Sequence, residues 1–364
     1  MTPNRRKVLS LLPAATVAGI ASPAIAQTNP QIRWRLASSF PKNIDIMWAT
    51  STSISKYISE MTDGRFVIDT FSANEVVPPF QVLDAVAAKT VEIGHTPALF
   101  YFGKDATFAL CSVVPFGLNV RQQHAWMYSG GGIEQLQTLF NNFGVVGIPC
   151  GNTGMQMGGW FRKELISKED LKGLKFRTAG LAGTVLAKLG VVPQQIAPGD
   201  IYSALERGTM DAVELIGPYD DEKLGFHRVA KYYYYPGWAE GTAMTHLVVN
   251  KPLYDELPKS YKVALDVAAA AVTSFQLAKY DASNGLALRR LVAQGAVLKP
   301  FPQDIIEAAY AAWKEVVEEL YAKNPLFKSI HESQQAFLVN NSIYAQIADF
   351  SYDAMMFRLM RSSR

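Results

Sequence analysis

Two segments of the chain, 119 residues apart, read as copies of one structural unit. Residues 86–95 (VAAKTVEIGH) align with residues 205–214 (LERGTMDAVE) in the 364-residue sequence. Each copy predicts the end of an apolar-faced helix, a tight turn and a short strand. Only Thr90 and Thr209 are identical, but Glu92 matches Asp211 and the apolar positions agree. A unit that occurs twice at this distance is no solenoid; it predicts two similar α/β lobes with a ligand cleft between them.

The order of predicted elements also indicates an α/β fold. Residues 32–37 predict a strand, 47–61 a helix and 66–68 a second strand, an order that suits an open sheet covered by helices. The second lobe is expected to begin near Cys150. It contains a strand candidate at residues 171–177 and a short helix at 182–189 that ends at Gly190.

Three long helical segments follow the second copy. Residues 259–292 contain few helix breakers and at about 1.5 Å per residue would extend about 50 Å, enough to lie along both lobes. Residues 304–321 carry a periodic apolar stripe. Residues 334–360 predict a further apolar helix with no remaining core to cover. This last helix is therefore a candidate for packing on a partner chain.

The N-terminus reads as a targeting segment. Arg5, Arg6 and Lys7 precede a short apolar run, and Ala24-Ile25-Ala26 provides a small-residue cleavage site. We therefore predict a signal peptide at residues 1–26. The paired arginines favour the twin-arginine route, with general Sec export as the alternative. No later apolar run reaches the ~18 residues needed to span a bilayer.

Charge and cysteine content narrow the classes of partner. Without the three basic residues of the targeting segment, 32 basic residues balance 32 acidic residues. A neutral chain argues against nucleic acid or an anionic membrane surface as partner. Cys111 and Cys150 are the only cysteines, too few for a disulfide scaffold. One bridge between them or two buried thiols are both open.

The sequence lacks the common catalytic motifs. None of the five histidines pairs at a zinc-ligand spacing, and the chain has neither a G-x-S-x-G elbow nor a P-loop. We therefore expect a protein that is not an enzyme.

Several polar residues lie at predicted strand ends, where ligands bind in open α/β sheets. Glu214 ends the second copy, and a carboxylate in apolar surroundings is costly unless it is paired or binds a cation. Arg177 ends the preceding strand, and its rigid fork can hold a carboxylate through two parallel hydrogen bonds. The amide oxygen of Gln156 suits a hard cation. Glu240 follows an aromatic cluster at residues 232–238 and is a further candidate.

These residues lie in segments that resemble a known family. Residues 170–177 (DLKGLKFR) and 204–214 (ALERGTMDAVE) resemble the substrate-binding proteins of tripartite ATP-independent periplasmic (TRAP) transporters, of the DctP type. The similarity covers essentially the whole chain after the targeting segment. The resemblance implies that Arg177 holds the carboxylate of a substrate and that the protein works in the periplasm with membrane permease subunits.

A narrower resemblance concerns the ligand. Glu214, residues 217–221, residues 225–226 and the aromatic segment 232–238 are similar to the branch that binds 2-oxo acids and related monocarboxylates such as pyruvate or lactate. This branch implies a metal ion, Na⁺ or Ca²⁺, beside the ligand, with Gln156 contacting both. Glu214 and the backbone carbonyl of Leu215 would be metal ligands, and Glu240 and Tyr101 further pocket residues. The branch often carries tryptophan at the position of Leu215, so the pocket wall differs here.

The resemblance also implies the fold and its boundaries. We expect a two-lobed periplasmic-binding-protein fold of type II-like topology, with a long helix spanning both lobes and a C-terminal helical extension. Lobe I would comprise residues 27–150 and roughly 242–290, and lobe II residues 151–241 and roughly 291–330. Residues 331–364 would form a C-terminal helix and possible dimerisation segment, which predicts a homodimer.

Two other roles fit the same sequence. A periplasmic sensor could present the bound ligand to a membrane kinase, and an enzyme could use the same scaffold. A binding protein of this family for a different carboxylate is a further alternative.

Overall fold

The computed structural model describes residues 29–362. The predicted signal peptide lies outside these residues. Within the described range, no helix combines the length and apolar character needed to cross a membrane.

Five strands form the first sheet, in the order β2-β1-β3-β10-β4. They are β1 (Ile32–Ser38), β2 (Phe66–Phe71), β3 (Ile93–Pro97), β4 (Val145–Asn152) and β10 (Met244–Asn250). The first three are parallel, whereas β10 runs antiparallel to both β3 and β4. The predicted strands at residues 32–37 and 66–68 are confirmed.

Six strands form the second sheet, in the order β11-β9-β5-β8-β6-β7. They are β5 (Gly159–Phe161), β6 (Lys175–Arg177), β7 (Val192–Gln194), β8 (Ala212–Val213), β9 (Tyr232–Tyr235) and β11 (Val297–Pro300). The strand predicted at residues 171–177 is too long. A 3₁₀ turn occupies Lys168–Leu171, because the capping box of Ser167 and Asp170 fixes a helical turn there.

Thirteen α-helices cover the two sheets within the described range. They are α1 (Asp45–Met61), α2 (Val82–Ala87), α3 (Phe108–Ser112), α4 (Val120–Ser129), α5 (Gly132–Asn142), α6 (Gly180–Lys188), α7 (Ile201–Glu206), α8 (Pro218–Leu224), α9 (Lys251–Glu256), α10 (Lys259–Ala293), α11 (Gln303–Lys323), α12 (Pro325–Ala345) and α13 (Ser351–Ser362). The two sheets with their helices give the predicted α/β class.

The predicted duplicate unit is present in both lobes. The helices α2 and α7 each lead through a turn into a short strand, β3 and β8 respectively. In each turn a threonine N–H donates to the carbonyl five residues earlier, at 2.8 Å for Thr90 and 3.0 Å for Thr209. The preceding residue has positive φ in both copies, 61° at Lys89 and 71° at Gly208. The shared turn geometry explains the aligned pattern although few side chains are identical.

The long helix α10 contacts elements of both lobes, as predicted. Near its middle, Gln276 Nε2 lies 3.3 Å from the sulfur of Met47 in α1. Farther along, Asn284 Oδ1 accepts a 3.0 Å bond from the N–H of Tyr219 in α8. The chain passes from one sheet to the other between β4 and β5, between β9 and β10, and, through α10, between β10 and β11. The predicted residue boundaries of the lobes remain predictions.

The C-terminal helix begins earlier than expected. Helix α12 starts at Pro325 rather than near residue 331, because Asn324 caps it through a 2.9 Å bond from the Phe327 N–H and proline suits the first turn. A five-residue π-helical turn, Gln346–Phe350, joins α12 to α13. Phe327 and Ile330 are buried in the main apolar core, where α12 contacts α3, α4, α5 and α11, whereas most apolar residues after 338 are exposed.

Candidate functional site

The ends of β6 and β8 bring Arg177 and Glu214 together. The two strands are parallel neighbours, with Arg177 opposite Val213, and the N–H of Glu214 donates to the Arg177 carbonyl at 3.1 Å. Parallel strands end at the same edge of a sheet, where the fold class places its ligands. The sheet register therefore places a guanidinium and a carboxylate side by side.

Backbone carbonyls fix the Arg177 side chain. Its Nε donates to the carbonyl of Ile196 at 3.2 Å, and its Nη1 donates to the carbonyl of Glu214. Nη1 also lies 4.0 Å from Glu214 Oε2. Only 2% of Arg177 is exposed. The two bonds use two of the five N–H donors of the guanidinium, so donors remain for an anion in the adjacent cavity.

Gln156 adjoins the same carboxylate. Its side-chain amide has two settings related by a half-turn. In one, the nitrogen donates to Glu214 Oε1 at 2.7 Å and to the Glu240 carbonyl at 3.3 Å, while the oxygen accepts from Thr153 Oγ1 at 2.9 Å. In the other, the nitrogen donates to Thr153 and the amide oxygen faces two oxygen atoms. In that setting, the amide oxygen of Gln156 faces Glu214 Oε1 and the backbone carbonyl oxygen of Glu240.

Glu214 is a buried carboxylate whose hydrogen-bonding capacity is only partly used. It is 3% exposed, and its Oε2 finds no hydrogen-bond partner among residues 29–362. Burial raises the pKa of Glu214 well above its usual value, and the nearby Glu240 carboxylate raises it further, although Arg177 opposes the shift. An ionised carboxylate in such a place requires a compensating positive charge.

Glu240 lies on the second crossing between the lobes. The N–H of Gln156 donates to the Gly241 carbonyl at 2.9 Å. This bond holds the segment between β9 and β10 against the segment between β4 and β5. Gly237 permits the close approach, because a Cβ there would lie 2.7 Å from the carbonyl oxygen of Gln156. Burial raises the pKa of Glu240 to about 7, opposed by Arg177.

A small cavity, about 30 Å³ in volume, lies between these groups. Its polar lining includes Arg177, Gln156 and Glu240, together with two threonines. Its apolar lining comes from both lobes. The lining residues are Phe40, Met47, Pro97, Leu99, Phe100, Thr153, Gln156, Arg177, Ala179, Pro198, Leu215, Ile216, Glu240, Ala243 and Thr245. The wall therefore combines charged, hydroxyl-bearing and apolar side chains.

Larger grooves lie elsewhere, and two of them have volumes of about 560 and 580 Å³. The first is lined without a charged residue, and the charged residues of the second, such as Arg121 and Asp349, are exposed. The small cavity is the better ligand site, because it alone of these three has buried charged side chains in its wall.

The structure brings together most of the predicted site residues. Gln156, Arg177, Glu240 and Leu215 line the cavity. Glu214 lies directly behind that lining, within reach of Gln156 and Arg177.

Tyr101 is not part of this lining. Its hydroxyl accepts a 3.1 Å bond from the Leu83 N–H and pairs with Thr96 Oγ1 at 2.9 Å. The ring is buried in the main core. Its polar atom is already used in holding β3 and α2, and the assignment of Tyr101 to the ligand pocket stays a prediction.

Several residues that line the cavity are not among those predicted from the sequence. Phe40 and Met47 line the cavity from the first loop and the start of α1, and Thr153 and Thr245 add hydroxyl groups. Phe40 lies in the loop that follows β1. Because ligands bind near the carboxyl ends of strands in open α/β sheets, this position could have indicated a site residue. Nothing in the sequence distinguishes the two threonines from ordinary strand residues.

His95 occupies the place in the first copy that Glu214 has in the second. Its Nδ1 lies 2.8 Å from Ser51 Oγ and its Nε2 lies 3.1 Å from Thr245 Oγ1. Burial lowers the pKa of His95 to about 4. It is a neutral imidazole that supports the cavity-lining Thr245.

Known proteins resemble this chain over most of its length. The pattern of the DctP family, described as bacterial extracellular solute-binding protein, family 7, matches residues 38–324. A monocarboxylate 2-oxoacid-binding periplasmic protein of Nostoc sp. is 44% identical over 358 residues, which cover 96% of this chain and 98% of the relative.

Solved structures share the fold at higher than 35% identity. A TRAP transporter solute-binding protein from Bordetella bronchiseptica, a mixed-occupancy dimer with copurified calcium and picolinate, is 44% identical with a TM-score of 0.90 and covers 92% of this chain and 100% of its own. A TRAP periplasmic solute-binding protein from Pseudoalteromonas atlantica, with bound sodium and pyruvate, is 37% identical with a TM-score of 0.86 and covers 88% and 98%.

These likenesses agree with the cavity and its buried arginine. The expectation that the protein is not an enzyme is confirmed, because the family consists of substrate-binding transport proteins. The two-lobed fold is likewise confirmed. The chain belongs to the DctP family of extracytoplasmic solute-binding proteins of TRAP transporters.

Proposed function

We propose that this protein captures a small 2-oxo or 2-hydroxy monocarboxylate, such as pyruvate or lactate, in the periplasm. Arg177 and a bridging cation would hold the ligand, and the closed protein would deliver it to the membrane subunits of a TRAP transporter. The observation that carries the proposal is the cavity beside Arg177, Gln156 and Glu214. The relatives that bind pyruvate or 2-oxo acids support the same ligand class.

The ligand carboxylate is assigned to Arg177. This residue lines the cavity, is buried and is already oriented by two backbone carbonyls. A guanidinium held in this way loses little further conformational freedom when it pairs with a carboxylate. The 2-oxo or 2-hydroxy oxygen would then lie towards the cation, which distinguishes these acids from plain fatty acids.

The buried oxygen atoms fit a hard cation. The amide oxygen of Gln156, in one of its settings, lies 2.7 Å from Glu214 Oε1 and 3.3 Å from the Glu240 carbonyl. Without a cation, the opposite setting of the amide is favoured, because the Gln156 nitrogen then donates to Glu214 Oε1 and to the Glu240 carbonyl. Carboxylate, amide and backbone oxygens are the ligands that Ca²⁺ takes, and Glu214 Oε2 still lacks a partner. We assign the cation to Gln156, Glu214 and the Leu215 carbonyl.

Charge balance gives the cation its chemical role. Among residues 29–362, Arg177 is the one cation that faces the buried carboxylates of Glu214 and Glu240, and a bound monocarboxylate would add another negative charge. A cation offsets this repulsion. The relatives contain sodium in one case and calcium in another. We propose Na⁺ as the first candidate, with Ca²⁺ as the alternative.

We further propose that the protein forms a homodimer through its C-terminal helices. Helices α12 and α13 and the turn between them expose large apolar residues, namely Val339, Ile343, Tyr344, Ile347, Phe350, Tyr352, Met355, Phe357, Leu359 and Met360. Such a concentration on one segment is typical of an interaction surface. Light scattering at micromolar concentration would give the dimer mass, and a monomer mass would contradict the proposal.

Calorimetric titration tests the ligand and the cation together. Residues 27–364, stripped of ligand, are titrated with pyruvate before and after chelation and Na⁺ depletion. We expect micromolar or tighter binding that is lost on cation removal and restored by Na⁺ or Ca²⁺. Binding that survives cation removal would exclude the metal role of Glu214. Absence of binding to pyruvate, lactate and longer 2-oxo acids would overturn the ligand class.

A further inference from the structure

Asp45 joins the two lobes at the edge of the ligand cavity. It is the first residue of α1, and its Oδ1 lies 2.7 Å from Lys223 Nζ. Its Oδ2 accepts a 3.1 Å bond from the Tyr219 hydroxyl. Lys223 also lies 4.5 Å from the centre of the Tyr219 ring. One carboxylate of lobe I therefore contacts two neighbouring side chains of α8.

Both sides of this contact, Asp45 and helix α8, lie close in the chain to residues that line the cavity. Met47 follows Asp45 by two residues and lines the cavity from lobe I. Leu215 and Ile216 line it from the other side and directly precede α8. Phe40, Ile44, Met47 and Ile216 form one buried apolar cluster against Tyr280, with Leu215 and Tyr219 packed on it. The polar contact thus lies on the outer side of the apolar seal over the ligand.

Helix α8 is independently attached to the long helix. Asn284 Oδ1 accepts from the Tyr219 N–H at 3.0 Å, and Arg290 pairs with Glu222 at 2.6 Å. Residues near the C-terminal end of α10 therefore position α8, whereas α1 packs nearer the middle of α10, through contacts such as Gln276 with Met47. Movement of one lobe against the other would change the distance between Asp45 and α8 without breaking α8 from α10.

We propose that Asp45, Tyr219 and Lys223 form a latch that slows ligand escape by stabilising the closed arrangement of the lobes. The proposal rests on the proposed function as a ligand-capturing protein that opens and closes. The Asp45 and Lys223 side chains are 42% and 38% exposed, so solvent weakens their attraction. We expect loss of the pair to speed ligand dissociation about two- to fivefold.

A double-mutant cycle on dissociation rates tests the latch. Pyruvate dissociation in the presence of Ca²⁺ is measured by stopped flow for wild type, Asp45→Asn, Lys223→Gln and the double variant. Each single change should accelerate dissociation and leave the association rate within about twofold. The double variant should be no faster than the singles, because both remove one interaction. Additive effects, or unchanged dissociation, would overturn the proposal.

A matched ion pair within lobe I provides the control. Lys42 lies 2.6 Å from Glu75, and both side chains are exposed. Glu75→Gln should leave both rates unchanged. Equal acceleration in this variant would show that loss of any nearby charge, rather than the contact between lobes, has been measured.

A second measurement does not depend on the ligand. Spin labels at Lys56→Cys in α1 and Lys172→Cys in lobe II report the distance between lobes, since Cys111 and Cys150 are buried and resist labelling. Asp45→Asn should shift the distance distribution towards longer values in ligand-free protein. An unchanged distribution would overturn the latch. Failure of wild type to bind pyruvate would instead count against the proposed ligand.

Discussion

The Nη1 atom of Arg177 donates to the backbone carbonyl of Glu214 but remains 4.0 Å from the carboxylate of the same residue. The guanidinium is thus fixed by the main chain, and the Glu214 carboxylate is left with an unpartnered oxygen. In the proposed site, this separation leaves the arginine available for an anion and the glutamate for a cation. The two residues therefore have different roles in the proposed site although they are neighbours.

Arg177→Lys should weaken pyruvate binding by at least about a hundredfold. The ammonium group keeps the charge but lacks the fork that holds a carboxylate through two parallel hydrogen bonds. Titration calorimetry in saturating Ca²⁺ measures the loss. Arg162→Lys is the control, because Arg162 follows β5 and bonds the Leu205 carbonyl outside the cavity. A loss of less than tenfold for Arg177→Lys would remove Arg177 from the anchoring role.

Glu214→Gln should reduce the affinity for the cation and, with it, the affinity for pyruvate. The amide keeps an oxygen ligand but removes the negative charge that the cation offsets. We expect the Ca²⁺ concentration for half-maximal pyruvate binding to rise at least about tenfold. Glu206→Gln, at the exposed end of α7, should behave as wild type. An unchanged Ca²⁺ requirement in Glu214→Gln would contradict the assigned ligand set.

Changes at Leu215 should alter the preferred ligand length. Its side chain lines the cavity beside Ile216, where a ligand tail would lie opposite Arg177. Leu215→Ala should improve binding of 2-oxovalerate relative to pyruvate about tenfold, and Leu215→Trp should reverse this preference, since pocket contacts of this size discriminate by one to two powers of ten. Leu224→Ala, outside the lining, is the control. A constant affinity ratio across the variants would place the tail elsewhere.

Asp220→Asn should stabilise the protein at alkaline pH. Asp220 is 1% exposed, and burial raises its pKa to about 7, against an ordinary value of 3.8. The folded protein therefore binds more protons than the unfolded chain between about pH 4 and 7, so this group's contribution to stability falls as pH rises through that window. The melting temperature of Asp220→Asn should exceed that of wild type by at least about 2 °C at pH 8.

The pH dependence separates this effect from a general gain in stability. At pH 4 the melting temperatures of Asp220→Asn and wild type should be nearly equal, because the wild-type aspartate is then protonated. Burial also raises the pKa of Asp221 to about 7, but Asp221→Asn should gain less at pH 8, because the substitution weakens the bonds that Asp221 accepts from Tyr233 and Trp160 at 2.6 and 3.0 Å. A pH-independent difference for Asp220→Asn would exclude titration of this group.

Two charges on the C-terminal helices should convert the proposed dimer to a monomer. Ile347→Asp with Phe350→Asp places carboxylates at positions that are 68% and 71% exposed in the single chain and would be desolvated in an interface. Light scattering should give half the wild-type mass. Ile166→Asp, at an isolated exposed site of lobe II, should keep the wild-type mass. A wild-type mass for the double variant would place the interface elsewhere.

The sequence by itself determined the local structure and the residue types of the site. The duplicated pattern at residues 86–95 and 205–214 corresponds to two helix–turn–strand units because turn geometry and apolar spacing are local properties. The resemblance carried by residues 170–177 and 204–214 pointed to Arg177, and the narrower resemblance pointed to Gln156 and Glu214. The structure places these three in contact or near contact.

The tertiary structure alone decided which residues surround the ligand. Phe40 and Met47 approach Leu215 and Ile216 only because α10 and the two crossings bring the lobes together. Tyr101 shows the converse: it is a predicted pocket residue, but packing directs its hydroxyl to Thr96 and Leu83. Contacts between segments more than a hundred residues apart depend on how helices and sheets pack, which no local pattern in the sequence records.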